Sequence, residues 1–188
     1  KATFTNYTSS TRGINGIMVD IAGLPDGYAP DVDDFEFRVG NNSSPGDWDF
    51  APQPIDVSIR ENAGSNGSDR ITILWDDNAI QGTWLQVTVK ATAATGLAAP
   101  DVFYFGNAIG ETGEPEGSAA VTSVDEIAIR HNPQVFTPAE IDNPYDLNRD
   151  RKVTSIDQIL ARQNITTFDA LQLIAPPATP PPAPAPMA

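Results

Sequence analysis

The sequence predicts a mainly β protein: an antiparallel β-sandwich over residues 1–106, then a small α-helical pair of loop–helix motifs over residues 107–174. Three observations predict it. Apolar and polar residues alternate with period two as far as Gly106. Beyond it the apolar spacing changes to three. And one phrase occurs twice, TSVDEIAIRHN at Thr122–Asn132 and TSIDQILARQN at Thr154–Asn164, 32 residues on. Alternation gives a strand one dry and one wet face. A spacing of three gives a short helix one apolar stripe.

Phe4–Thr8 opens the strand series. Ile17, Val19 and Ile21 alternate with Met18 and Asp20, and Phe35, Phe37 and Val39 with Glu36 and Arg38. Ile55, Val57 and Ile59 follow, then Ile71, Ile73 and Trp75, then Leu85, Val87 and Val89. Val102–Phe105 closes the series. Asn66-Gly67 lies between two of these runs and signals a hairpin. Trp75 is in phase with its apolar neighbours and belongs to the core. Trp84 is out of phase with Leu85 and Val87, and Trp48 sits in a turn-rich loop, so both are expected at the surface. Past Phe105, the pairs Val124/Ile127 and Ile156/Ile159, and the series Phe168, Leu171 and Ile174, predict short helices burying one stripe. No linker separates the two parts, so they are expected to pack together. Residues 175–188 are too rich in proline for helix or sheet and read as a polyproline or unstructured tail.

Composition narrows the function. The net charge of −14 disfavours a nucleic-acid partner. There is no cysteine, hence no disulfide, thiolate metal site or thiol nucleophile. No apolar run is long enough for a membrane span. The chain opens at Lys1 with no signal-like run, which reads as a processed chain or a piece of a larger protein. His131 is the single histidine, no nucleophile motif accompanies it, and none of the 25 acidic residues stands out as a catalytic pair. The expected protein is not an enzyme.

The repeat carries the chemistry. In DLNRDRKVTSID, read from Asp146, oxygen-bearing side chains fall at positions 1, 3, 5, 9 and 12: Asp146, Asn148, Asp150, Thr154 and Asp157. Lys152, at position 7, would offer its carbonyl. Val153, at position 8, would tuck into the core. This is the spacing of an EF-hand calcium loop, which surrounds a hard cation with six to eight oxygens at about 2.4 Å. Position 6, usually glycine because the turn needs a positive φ, is Arg151, and position 12 is Asp157 where glutamate is usual.

The acid at position 12, the helix after each loop and the duplication resemble the dockerin type I family over about Asn107 to Ile174. The whole chain, with DVFYFGNAIGETG leading into that dockerin-like end, also resembles exported modular proteins of planctomycete-type bacteria. The dockerin resemblance implies two calcium ions and two loop–helix motifs related by a pseudo-twofold axis. It further implies docking onto a cohesin-type β-sandwich at a cell surface. In that family positions 10 and 11 read the partner, which here are Ser123-Val124 and Ser155-Ile156. For the first loop two readings stand. Counting back from Asp125 puts Glu114 at position 1. A longer loop from Asn107, with Glu111 assisting Asp125, fits as well.

The expected function is therefore non-catalytic: a calcium-binding, secreted or cell-surface module for attachment or assembly. Its partner would be a cohesin-like sandwich or its own kind. The alternative is a carbohydrate-binding module presenting Trp48 and Trp84 to a polysaccharide.

Overall fold

The structure, a computed structural model, describes residues 1–25, 27–113 and 117–175. Glu114 and the proline-rich tail beyond Ala175 lie outside the described residues. The elements are β1 (Tyr7–Thr8), β2 (Gly16–Ile21), β3 (Phe35–Gly40), β4 (Asp49–Phe50), β5 (Asp56–Arg60), β6 (Asp69–Leu74), β7 (Trp84–Val89), β8 (Asp101–Asn107), α1 (Ser123–His131) and α2 (Ser155–Gln163). The protein is mainly β.

The strands form two sheets, one ordered β1-β8-β7-β3-β4 and one ordered β2-β6-β5. The predicted alternation sets the register: Ile17 and Val57 flank Ile73, and Val19 and Ile59 flank Ile71. These residues meet Phe35, Phe37, Leu85, Val87 and Val89 of the other sheet in a single apolar cluster that includes Trp75. Two sheets sharing one core is the packing of a sandwich. The β5–β6 turn reverses at Asn66, whose φ of 56° suits asparagine better than most side chains.

The sheet holding β1 departs from expectation. Phe4–Asn6 turn in a 3₁₀ helix, so the first strand is only Tyr7–Thr8, and it runs parallel to β8. The sheet is thus mixed, not antiparallel. Two strands joined by no hairpin, with the whole sandwich between them in sequence, are free to pair in parallel.

Trp84 and Trp48 also correct the sequence reading, being 0% and 3% exposed. Trp84 does point away from the shared core, but a third layer covers it. Leu171 and Ile174 pack with Trp48, Trp84, Ala108 and Ala119 in a second cluster. The 170–174 segment is held there by hydrogen bonds. Trp84 Nε1 donates to the Gln172 carbonyl (2.7 Å), Asn41 exchanges bonds with Ala170 and Gln172, and the Ala2 N–H reaches the Ile174 carbonyl (2.8 Å). Trp48 lies against Gly40, where a Cβ would approach the indole to 2.3 Å. Residues 165–174 are this extended strap, not the helix expected through Phe168, whose side chain is 99% exposed.

Each helix is nine residues long and begins the same way. Thr122 and Thr154 are N-caps accepting the Val124 and Ile156 N–H at 3.1 Å, and Asp125 and Asp157 complete the capping boxes. Both helices end at an asparagine, Asn132 or Asn164, whose amide returns to a carbonyl four residues back. The stripe expected to be buried is not. Val124, Ile127, Ile156 and Ile159 are 47–53% exposed. The buried lines are Asp125–Ile129 and Asp157–Ala161, because each acid must face its own loop. Ile129 and Ala161 join Leu147 and Val153 in a small third core.

Candidate metal centre

The second loop folds on its own polar side chains. Asp146, almost fully buried, accepts the N–H of Asp150 (3.2 Å) and of Arg151 (2.8 Å). Asn148 accepts the Asp150 N–H (3.0 Å), and Asp150 accepts the Lys152 N–H (2.9 Å). Asp157, fully buried, accepts the Leu147 N–H with one oxygen and the Thr154 N–H with the other, both at 2.9 Å. Thr154 Oγ1 serves as the cap of α2. Arg151 has φ of +67°, so the chain does take the left-handed turn at position 6 without a glycine. Val153, at position 8, is fully buried as expected.

The first loop repeats this wiring over a longer path. Asp125, fully buried, accepts the Thr112 N–H with one oxygen (2.9 Å) and the Thr122 N–H with the other (2.7 Å). Thr112 therefore stands where Leu147 does, and its predecessor Glu111 stands where Asp146 does. The first loop spans Glu111–Asp125, three residues longer than Asp146–Asp157. Glu111 is fully buried, accepts the Gly113 N–H (2.8 Å), and takes a hydrogen bond from the Tyr7 hydroxyl (2.7 Å). The register starting at Glu114 would have put Pro115, which has no N–H, at position 2. Asn107 lies ahead of the Glu111–Asp125 span, with its side chain engaged elsewhere: Oδ1 takes the Gly82 N–H, and Nδ2 donates to the Thr8 and Ser10 carbonyls.

The two copies make matching contacts with each other. The Gln134 and Val153 backbones exchange hydrogen bonds of 3.0 and 2.8 Å. Thirty-two residues away in each direction, Thr166 donates its N–H to the Val121 carbonyl (3.0 Å), and its hydroxyl takes the Val121 N–H (3.0 Å). Gln158 donates to Glu126, its own counterpart, at 2.9 Å. Arg162 closes the same junction on Glu126.

The electrostatics decide what the loops can hold. Asp125, Asp146 and Asp157 are each at most 2% exposed. Backbone N–H groups and threonine hydroxyls hold them, and none joins an ion pair among the described residues. Burial raises the Asp146 carboxyl above its ordinary range; the Arg151 N–H opposes this, the nearby Asp157 and Asp150 charges add to the rise, and the Arg149 guanidinium offsets part of it. Buried carboxylates without a counter-charge are costly unless protonated or joined by a cation. Among the described residues no three His, Cys, Asp or Glu side chains are gathered as they would be around a metal. The second loop's remaining oxygens are those of Asn148, Thr154 and the Lys152 carbonyl. The donor set is thus hard oxygen throughout, which suits calcium and not a soft or borderline metal.

The proposed partner-reading residues Ser123, Val124, Ser155 and Ile156 are all exposed. Sequence reasoning passed over Phe136 and placed its repeat counterpart Phe168 in a buried stripe, yet the two are 100% and 99% exposed. Their signal was present: each lies four residues after the asparagine that ends its helix. No helix among the described residues is long and apolar enough to cross a membrane. The chain matches no protein-family model, no curated protein and no solved structure.

Proposed function

We propose that this protein is a non-catalytic, calcium-stabilised module for attachment or assembly at a bacterial cell surface, with a dockerin-like pair of loop–helix motifs. The observation that carries the reading is the burial of Asp125, Asp146 and Asp157 with no direct ion pair among the described residues, Arg149 acting on Asp146 and Asp157 only from a distance. Calcium, when bound, would neutralise these carboxylates and tie each loop to its helix. In the second loop Asp146, Asn148, Asp150 and Asp157, with the Lys152 carbonyl, would hold it. In the first, Glu111 and Asp125 would. The chain's own part is to aim these oxygens. The caps at Thr122 and Thr154 orient the two helix acids, and Val153 anchors the second loop in the small core.

The repeat-related exposure of Val124, Ile127, Ile156 and Ile159 supports a protein partner. Half-exposed apolar residues on two symmetric helices suit the face of a β-sandwich, of cohesin type or of this protein's own kind. The carbohydrate reading loses its platform, since Trp48 and Trp84 are covered.

The test is a calorimetric calcium titration of the metal-stripped full chain, with thermal unfolding recorded in each state. Two bound ions and a raised melting temperature are expected. A chain that binds no calcium overturns the reading.

A further inference from the structure

We infer that the sandwich supplies part of the first ion site: Tyr7 is a positioning residue that aims Glu111 into its loop, so filling that loop locks the N-terminal strand in place. The inference rests on the calcium reading and adds to it a participant from the other half of the molecule.

Glu111 occupies the place of Asp146 but has one more methylene, and a longer arm needs an outside hold. Tyr7 provides it, 104 residues away in sequence, through a 2.7 Å bond to Oε2, while the Gly113 N–H holds Oε1. Tyr7 is itself fixed. Its ring meets Phe4 and Trp84 edge-on at 5.3 and 6.3 Å, and its backbone pairs with Gly106. A Cβ on Gly106 would come within 2.8 Å of the Tyr7 Cβ, so glycine permits the close approach.

Three of the next four residues, Thr8, Ser9 and Thr11, hold the second loop and its entry. The Thr11 N–H and hydroxyl both donate to the Leu147 carbonyl (2.9 and 3.2 Å), and Ser9 donates to Pro144 (3.3 Å). Arg149 donates to the Thr8 hydroxyl (3.3 Å) and to the Asn143 carbonyl (2.6 Å). One five-residue stretch, Tyr7–Thr11, thus touches the start of both loops.

Tyr7→Phe deletes only the hydroxyl. The metal-stripped variant would be titrated with calcium alone, and hydrogen exchange followed at the amides of residues 7–11 with and without the ion. Tyr104→Phe, which deletes a hydroxyl bonded to Gln86 in the same sheet, is the control. In the parent protein calcium should slow exchange at residues 7–11. In Tyr7→Phe one of two sites should weaken at least about tenfold, with the other unchanged and the protection of residues 7–11 reduced. The control should match the parent. Two sites of parent affinity in Tyr7→Phe, or equal weakening in Tyr104→Phe, overturns the inference and leaves the calcium reading standing. A parent chain that binds no calcium removes both.

Discussion

The two loop–helix copies share a wiring diagram and differ in where they find their supports. In the second, Asp146, Asn148 and Asp150 each accept a backbone N–H from within five residues. In the first, the loop is three residues longer and its leading acid leans on a tyrosine of the sandwich. Duplication preserved the helix, its cap and its acid, and left the entry to the loop free to change. A locally supported loop keeps a readable ligand spacing. One supported from a distance does not need to.

The sharpest way to test the comparison is to remove the shared acid from each copy. Asp125→Ala and Asp157→Ala each strand two buried N–H groups and lose half a capping box, so each should cost about 3 kcal/mol or more. Each should also lose one calcium ion by calorimetry. If only Asp157→Ala loses an ion, the first copy is scaffold and the equivalence fails. Thr122→Ala and Thr154→Ala should each cost about 1 kcal/mol in thermal unfolding, and equally, because the two caps have the same geometry. Unequal losses would show that the sandwich rescues one of them.

A gentler change separates the copies. The second loop takes its positive φ at two arginines, Arg149 and Arg151, where the first takes it at Gly113 and Gly117, so Arg151→Gly should stabilise the second by about 0.5–1 kcal/mol. Tighter calcium binding should follow in that site alone.

Acid should find a second asymmetry. Glu126 faces Arg162, and then Gln158, which together pull its carboxyl from 4.5 down to about 2. A depressed carboxyl contributes stability above its ordinary value and loses it as pH falls from about 4.5 towards 2. Its repeat counterpart is Gln158, which does not titrate. Glu126→Gln should therefore flatten the melting temperature over that window, and an unchanged acid profile would place the dependence elsewhere. The smallest effect on stability belongs to Val124→Ser with Ile156→Ser, within about 0.5 kcal/mol, because both side chains already meet water. Binding to a sandwich partner or to a second copy should nonetheless fall sharply, and intact binding would move the contact to Phe136 and Phe168.

What was legible in the sequence follows the same division between local and distant support. The paired core strands announce themselves by alternation because each buries one face on the shared core. Asp146–Asp157 announces itself because its supporting bonds are local. The parallel pairing of Tyr7–Thr8 left no signature, since two residues carry no period. Trp48 and Trp84 were misplaced for a related reason. Phase tells which way a side chain points, but not that Leu171 and Ile174 will return to cover it. The helix stripes were misread because a nine-residue helix has room for few buried positions, and here an acid takes one of them. Glu111 was one of two open readings, and the bond that favours it, from the Thr112 N–H to Asp125, leaves no mark in a spacing count.

The bond from Ala2 to Ile174 brings the two ends of the described residues side by side. Tension entering at one end and leaving at the other would bypass the strands and load this bond first. The strap at 170–174 would then peel bond by bond, off Trp84 and Asn41, like a zipper and not like a lap joint. Its first product would be a bared indole, with the strand pairs of both sheets still intact.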